Sequence, residues 1–200
     1  MSTAISQMTA SRGGLVKPVA WVGMLCAAVA IGLAAIELVS PTQVGNKIVN
    51  PSLFQIENTL FPIVFFGWVL ICFAFYFSGA AGSGWLPRIA LGLAIAGAIV
   101  SSFQSVSSAI TIGNFEIPDW ASIIQFGLVL AAPLLLGIAA LRQRMVPLWQ
   151  AAYPIVVVAI VSLVFWGIFA EASPSIPITV QSLAWIGFGM IALAAIPANA

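Results

Sequence analysis

Residues 59–80 read TLFPIVFFGWVLICFAFYFSGA, a run of 22 residues that contains no charge. About 20 apolar residues in a helix, at roughly 1.5 Å per residue, cross the hydrocarbon core of a bilayer. Five further apolar blocks of similar length occur in this chain of 200 residues. The approximate ranges of the six blocks are 19–40, 59–80, 88–110, 121–141, 151–171 and 179–198. They predict an all-α polytopic membrane protein, a bundle of six transmembrane helices. Five helices is the alternative count, because the sixth block begins with Gln181 and ends at Pro197.

The composition points to the same fold class. Hydrophobic residues make up 62% of the chain and charged residues 6%, and the mean hydropathy is +1.15. A soluble domain carries about 25% charged residues, so these few charges suit a protein whose surface mostly faces lipid. Membrane lipids are therefore the expected partners. The net charge of +1 argues against a nucleic acid as partner.

The basic residues predict the orientation of the bundle. Five of the six lie on one side of the six-helix threading: Arg12, Lys17, Arg88, Arg142 and Arg144. The positive-inside rule then predicts a protein of the cytoplasmic (inner) membrane with both termini in the cytoplasm. We expect a flexible cytoplasmic tail over 1–14 and a single transmembrane domain over 15–200. The largest outer loop, 41–58, contains an amphipathic piece, Pro51–Asn58, that is expected to lie along the membrane surface.

The residue types that are missing narrow the possible chemistry. The chain has no histidine, which excludes histidine-ligated haem and the zinc-protease motif that contains two histidines. Its one aspartate, Asp119, lies in a predicted loop, so a pair of intramembrane aspartates is excluded as well. Cys26 and Cys72 are isolated and lie inside predicted helices, as buried free thiols do. We therefore expect no cofactor, no metal and no enzymatic activity.

The polar residues of the predicted helices gather in the outer half of the membrane. In helix 3, IVSSFQSVSSAIT places Ser101, Gln104, Ser105 and Ser108 at a spacing that puts them on one face. Helix 4 adds a glutamine near its start, helix 6 begins with a glutamine and a serine, and helices 1 and 5 each end in a glutamate. From these residues we take the following candidates for ligand binding: Glu37, Ser101, Gln104, Ser105, Ser108, Gln125 and Glu171.

This polar set has two interpretations. Its members either form hydrogen bonds between helices, as serine and glutamine commonly do in membranes, or they line a cavity that is open to the outside. Mutual hydrogen bonds among Gln104, Ser105 and Gln125 with no void between them would favour the first. Convergence of Glu37 and Glu171 on a hydrated pocket would favour the second.

Helix 2 is rich in aromatic residues, which occur all round the helix and suit contact with lipid or with a partner protein. They are Phe65, Phe66, Trp68, Phe73, Phe75, Tyr76 and Phe77. Two pairs of small residues, Ala28 with Gly32 and Gly92 with Ala96, allow close helix approach, although chance produces such pairs in a chain rich in alanine and glycine.

The stretch 127–161, GLVLAAPLLLGIAALRQRMVPLWQAAYPIVVVAIV, resembles a pattern found in small six-helix bacterial membrane proteins of unknown function. In that pattern a helix ends in a basic pair, a few residues with proline and tryptophan follow, and the next helix begins. The resemblance implies a fold but no activity.

Two functions follow from the sequence. The first is a small accessory or structural subunit that acts without catalysis, through helix packing with another membrane protein. The alternative is a transporter or channel that binds a small polar or amphipathic ligand in an outward-facing cavity.

Overall fold

The structure is a computed structural model, and it describes residues 2–44, 47–112, 119–165 and 175–196. Within these ranges the chain forms six α-helices and one short hairpin of two strands. The helices are α1 (Ser2–Val39), α2 (Pro51–Phe77), α3 (Trp85–Thr111), α4 (Asp119–Gln143), α5 (Leu148–Phe165) and α6 (Ser175–Ala194). The strands β1 (Gln43–Val44) and β2 (Lys47–Ile48) pair antiparallel between α1 and α2, with Gln43 opposite Ile48. The all-α fold predicted from the six apolar blocks is confirmed.

Four of the described helical segments are long and apolar enough to cross a membrane. They are Gly14–Val39, Pro51–Phe77, Trp85–Thr111 and Ile123–Gln143. Leu148–Val164 and Ile178–Ala194 are apolar helices that are shorter. These helices are those of a membrane protein. The predicted end of the fifth span, up to residue 171, falls partly outside the described residues.

Two helices begin earlier than the sequence predicts. The backbone of α1 is helical from Ser2, through most of the segment expected to be a flexible tail. The segment Pro51–Asn58, expected to lie along the membrane surface, instead forms the first two turns of α2. Asn50 caps this helix by accepting a hydrogen bond from the Leu53 N–H at 3.2 Å, and Pro51 occupies the first turn, where its missing N–H costs little. Because no residue then interrupts the helix, it continues directly into the apolar block.

Helices that follow one another in the chain pack side by side, and α1 closes the bundle against α6. α2 also contacts α4 and α6, which makes it the central helix. A tight turn joins α2 to α3, where Gly79 and Gly82 have φ angles of 83° and 71° that glycine adopts without strain. A Cβ atom on Gly82 would come within 2.9 Å of the Gln143 side chain, so this turn lies beside the end of α4.

These contacts define the two ends of the bundle. At one end, α1 ends near Glu37, and the Gln55 side chain of α2 donates to the carbonyl of Ala109 near the end of α3, at 3.1 Å. We call this the Glu37 end. At the opposite end, which we call the Arg88 end, α3 begins and α4 ends. We call the half of the bundle next to the Glu37 end the Glu37 half, and the half next to the Arg88 end the Arg88 half.

Candidate functional site

A cavity of about 360 Å³ lies in the Glu37 half of the bundle. It is bounded by α2, α3, α4 and α6, with one alanine from α1. Its lining residues are Ala30, Asn58, Phe61, Val64, Phe65, Trp68, Ser101, Gln104, Ser105, Ser108, Gln125, Phe126, Val129, Ile178, Gln181 and Ser182. Five of the seven residues taken from the sequence as candidates are among them. Volumes of roughly 300–1,000 Å³ are typical of small-molecule sites.

The helical spacing of the α3 residues explains how they reach one cavity. Ser101, Gln104, Ser105 and Ser108 recur at intervals of three and four residues, so they share a face of α3. That face is turned toward the cavity, while Phe103 on the same helix is 65% exposed on the outside of the bundle. A stripe of hydroxyl and carboxamide groups therefore forms one wall.

The part of the lining that α2 contributes is mostly apolar. Phe61, Val64, Phe65 and Trp68 face the cavity, again at helical spacing. The ring centroids of Phe61 and Phe65 lie 5.9 Å apart in a stacked arrangement, and Phe65 meets Trp68 edge-on at 5.4 Å. The cavity therefore has one hydrogen-bonding side and one aromatic side. Among its described lining residues there is no aspartate, glutamate, lysine or arginine.

Some of the polar groups in the cavity are already paired within the protein. The Gln125 side chain donates to the Ser101 hydroxyl at 2.9 Å, which joins α4 to α3. The Ser182 hydroxyl donates to the Ile178 carbonyl at 2.8 Å, one turn back in α6. The first of these bonds matches the helix-bridging interpretation of the polar set, the second lies within one helix, and both leave the cavity open.

Two glutamines of the cavity have side chains without a hydrogen-bond partner among the described residues. Gln104 of α3 and Gln181 of α6 are 8% and 7% exposed, and both line the cavity. Neither carboxamide forms a hydrogen bond with another residue in the part of the chain that the structure describes. A carboxamide offers two donors and one acceptor oxygen, and leaving such groups unpaired inside a protein is unfavourable. Both carboxamides are therefore free to bind a molecule in the cavity.

A pair of indole rings lies at the inner boundary of the cavity. Trp68 and Trp185 stack with centroids 5.2 Å apart and planes within 5° of parallel. Both indole N–H groups are buried and have no hydrogen-bond partner among the described residues. A void of about 10 Å³ touches both rings and the Cys72 side chain. This volume is close to the smallest that can hold one water molecule.

Glu37 is not among the residues that line the cavity. Both of its carboxylate oxygens accept the Thr42 N–H, at 3.0 and 2.9 Å, and the side chain is buried. The Thr42 hydroxyl in turn donates to Glu57 at 3.3 Å, and the Thr42 carbonyl accepts the Val49 N–H at 2.9 Å. Thr42 thus ties the end of α1, the hairpin and the start of α2 together. Glu171, the other candidate glutamate, lies outside the described residues.

The aromatic wall and Asn58 are the parts of the site that sequence reasoning missed. Asn58 precedes the apolar block and bonds back to the Phe54 carbonyl at 2.9 Å. Gln181 and Ser182 belong to the polar set at the start of helix 6, but they were not taken as candidates. The spacing of Phe61, Phe65 and Trp68, at intervals of four and three residues, indicates that they share one face of the helix.

Comparison of the chain with protein-family models, with curated proteins and with solved structures finds no match.

Proposed function

We propose that this protein binds a small, uncharged, amphipathic molecule in the cavity of the Glu37 half and takes part in its transport across the membrane. The observation that carries this proposal is the two-sided lining, with serines and glutamines on α3 and α6 facing phenylalanines and a tryptophan on α2. An amphipathic molecule places its apolar body on one wall and its polar group on the other. A charged ligand is disfavoured, because no described lining residue offers a counter-charge in this low-dielectric environment.

The proposal places the cavity mouth on the outer side of the cytoplasmic membrane. Arg88 and Arg142 lie at the Arg88 end, where α3 begins and α4 ends, and both are exposed. The positive-inside rule puts that end in the cytoplasm, and with it the N-terminus. The Glu37 half then faces outward, as the distribution of polar residues along the sequence suggests.

The proposed role is binding rather than catalysis. The groups that line the cavity are amides, hydroxyls and aromatic rings, and none of the described ones is a strong acid, base or nucleophile. A channel is less well supported than a transporter. In the Arg88 half, Phe75 and Phe188 fill the centre of the bundle with side chains that are 0% exposed.

The other function suggested by the sequence, an accessory subunit that packs on a partner through helix 2, has less support. Trp68 and Phe75 of α2 are buried within this chain, against Trp185 and Phe188 of α6. Among the described aromatic residues of α2, Phe66 is the one with a large exposed fraction, 46%. The other aromatic side chains of α2 are buried or packed against the core of the bundle. A stoichiometric membrane protein in a mild-detergent preparation, lost on substitution of Phe66, would favour this second function instead.

The cavity can be tested without knowing its ligand by filling it. Ser105→Trp places an indole into the cavity from α3, and Val106→Trp places the same indole on the outward side of the same helix, where Val106 is 38% exposed. Both variants and the parent protein are purified in mild detergent, and the small molecules that they retain are identified by mass spectrometry.

We expect a molecule that is retained by the parent protein and by Val106→Trp and is lost from Ser105→Trp. Identical molecules in all three preparations, at equal amounts, would contradict the proposed binding function.

A further inference from the structure

We infer that the ligand carries a neutral amide group, as in a carboxamide, lactam or urea, attached to an aromatic or similarly flat apolar body. This inference rests on the proposed function and names the class of molecule that the cavity selects. Its basis is a pair of cavity glutamines, Gln104 of α3 and Gln181 of α6, whose side chains have no hydrogen-bond partner among the described residues.

The hydrogen-bonding capacity of these two residues is mixed. Each carboxamide presents an acceptor oxygen and an N–H₂ donor group side by side. A ligand with acceptors alone, such as a ketone or an ether, would satisfy the donors and leave both glutamine oxygens unpaired. An amide group carries a carbonyl acceptor and an N–H donor at the same spacing, so it complements a glutamine side chain with two hydrogen bonds.

The charge and shape of the cavity restrict the rest of the molecule. The lack of charged residues among the described lining favours a neutral group over a carboxylate or an ammonium group. Phe61, Phe65 and Trp68 supply ring surfaces on the facing wall, and these favour a flat apolar body. The volume of about 360 Å³ lies at the lower end of the range for small-molecule sites, which suits a compact ligand of one or two rings.

The probes that test this inference are benzamide and acetophenone, which have nearly the same shape and share the carbonyl. Benzamide carries an N–H₂ group where acetophenone has a methyl group. Binding of both is measured by equilibrium dialysis against the protein in lipid nanodiscs, and the Ser105→Trp protein provides the background from partition into lipid. A site that is built to hydrogen-bond a ligand N–H discriminates against the analogue without it, and we expect benzamide to bind at least about tenfold more tightly.

Two variants and a matched control separate recognition from folding. Gln104→Leu and Gln181→Leu each remove one cavity carboxamide, and we expect the ratio of the two affinities to fall toward one while acetophenone binding persists. Gln150→Leu removes a glutamine of α5 that is equally buried, at 7% exposed, but does not line the cavity, and it should leave the ratio unchanged.

The outcomes distinguish this inference from the function on which it rests. Equal affinities for the two probes, both abolished by Ser105→Trp, would overturn the amide inference and leave the binding function standing. If neither probe binds more to the parent protein than to Ser105→Trp, both the amide inference and the binding function would be overturned.

Discussion

The two halves of the bundle are built from the same helices but from different kinds of residue. In the Arg88 half, Phe75, Leu136 and Phe188 have side chains that are 0% exposed, and a Cβ atom on Gly137 would come within 2.6 Å of Ile155. In the Glu37 half the same helices carry glutamines and serines and enclose the cavity. The packed half holds the helices together, which allows the other half to keep an open volume and two carboxamides that have no hydrogen-bond partner among the described residues.

The largest effect should come from removing a ring in the packed half. Phe188→Ala deletes a fully buried side chain whose ring lies 5.1 Å from that of Phe75, and we expect a loss of about 3–5 kcal/mol in the free energy of unfolding. Phe61→Ala removes a half-buried ring from the cavity wall, and its loss should be less than half as large. Unfolding in mixed micelles measures both. Equal losses of unfolding free energy in Phe188→Ala and Phe61→Ala would contradict the distinction between the packed half and the cavity half.

Two glycines of α4 allow the two halves to be compared by adding one methyl group in each, with a smaller expected loss of stability. Gly137→Ala forces a methyl group against Ile155 in the Arg88 half, and we expect a loss of about 1–3 kcal/mol from overpacking. Gly127→Ala adds the same group where no atom lies within 4 Å, so it should cost nothing. The unfolding midpoints of the two variants, each compared with that of the parent protein, measure these losses. A loss in Gly127→Ala as great as that in Gly137→Ala would contradict the comparison.

The smallest effect concerns the loop that caps the Glu37 half. Glu37→Gln replaces the charged acceptor of the Thr42 N–H by a neutral one, which should weaken this contact by about 1 kcal/mol. Hydrogen exchange of the peptide that contains Thr42 should become faster, while exchange in the Arg88 half stays unchanged. Glu57→Gln, which affects a single bond of 3.3 Å, should change the exchange rate less. Exchange that does not respond to Glu37→Gln would show that this contact is not what holds the loop.

Much of this architecture can be predicted from the sequence, because a membrane imposes strong constraints. Apolar blocks separated by short polar segments give the six helices, and the spacing of Ser101, Gln104, Ser105 and Ser108 places these residues on one face. The facing wall on α2 is harder to predict. Phenylalanine and tryptophan suit lipid, a protein core and a ligand equally well, so the rotation of α2 that turns Phe61 inward depends on how all the helices pack.

The conformation of local turns and the packing role of small residues are also hard to predict from the sequence. Glu37 lies near the C-terminal end of α1 as expected, but the chain after Pro41 folds back so that the Thr42 N–H donates to its carboxylate. The small-residue pairs seen in the sequence are not the ones that bring helices together. Gly32 and Gly92 are exposed, whereas a Cβ atom on Gly23 would come within 2.8 Å of the Gly67 carbonyl oxygen. Composition alone does not say which glycine faces a neighbouring helix.

The most direct test of an accessible cavity in the Glu37 half is the reactivity of a cysteine placed in it. Cys26 and Cys72 are first replaced by alanine, and Ser105→Cys and Ala98→Cys are then compared. These positions lie about two turns apart on the same face of α3, and Ala98 is packed in the core at 3% exposed. N-ethylmaleimide, a small neutral reagent, should label Ser105→Cys in the folded protein and label Ala98→Cys only after unfolding. Resistance of Ser105→Cys to the reagent until the protein unfolds would contradict the cavity and the function built on it.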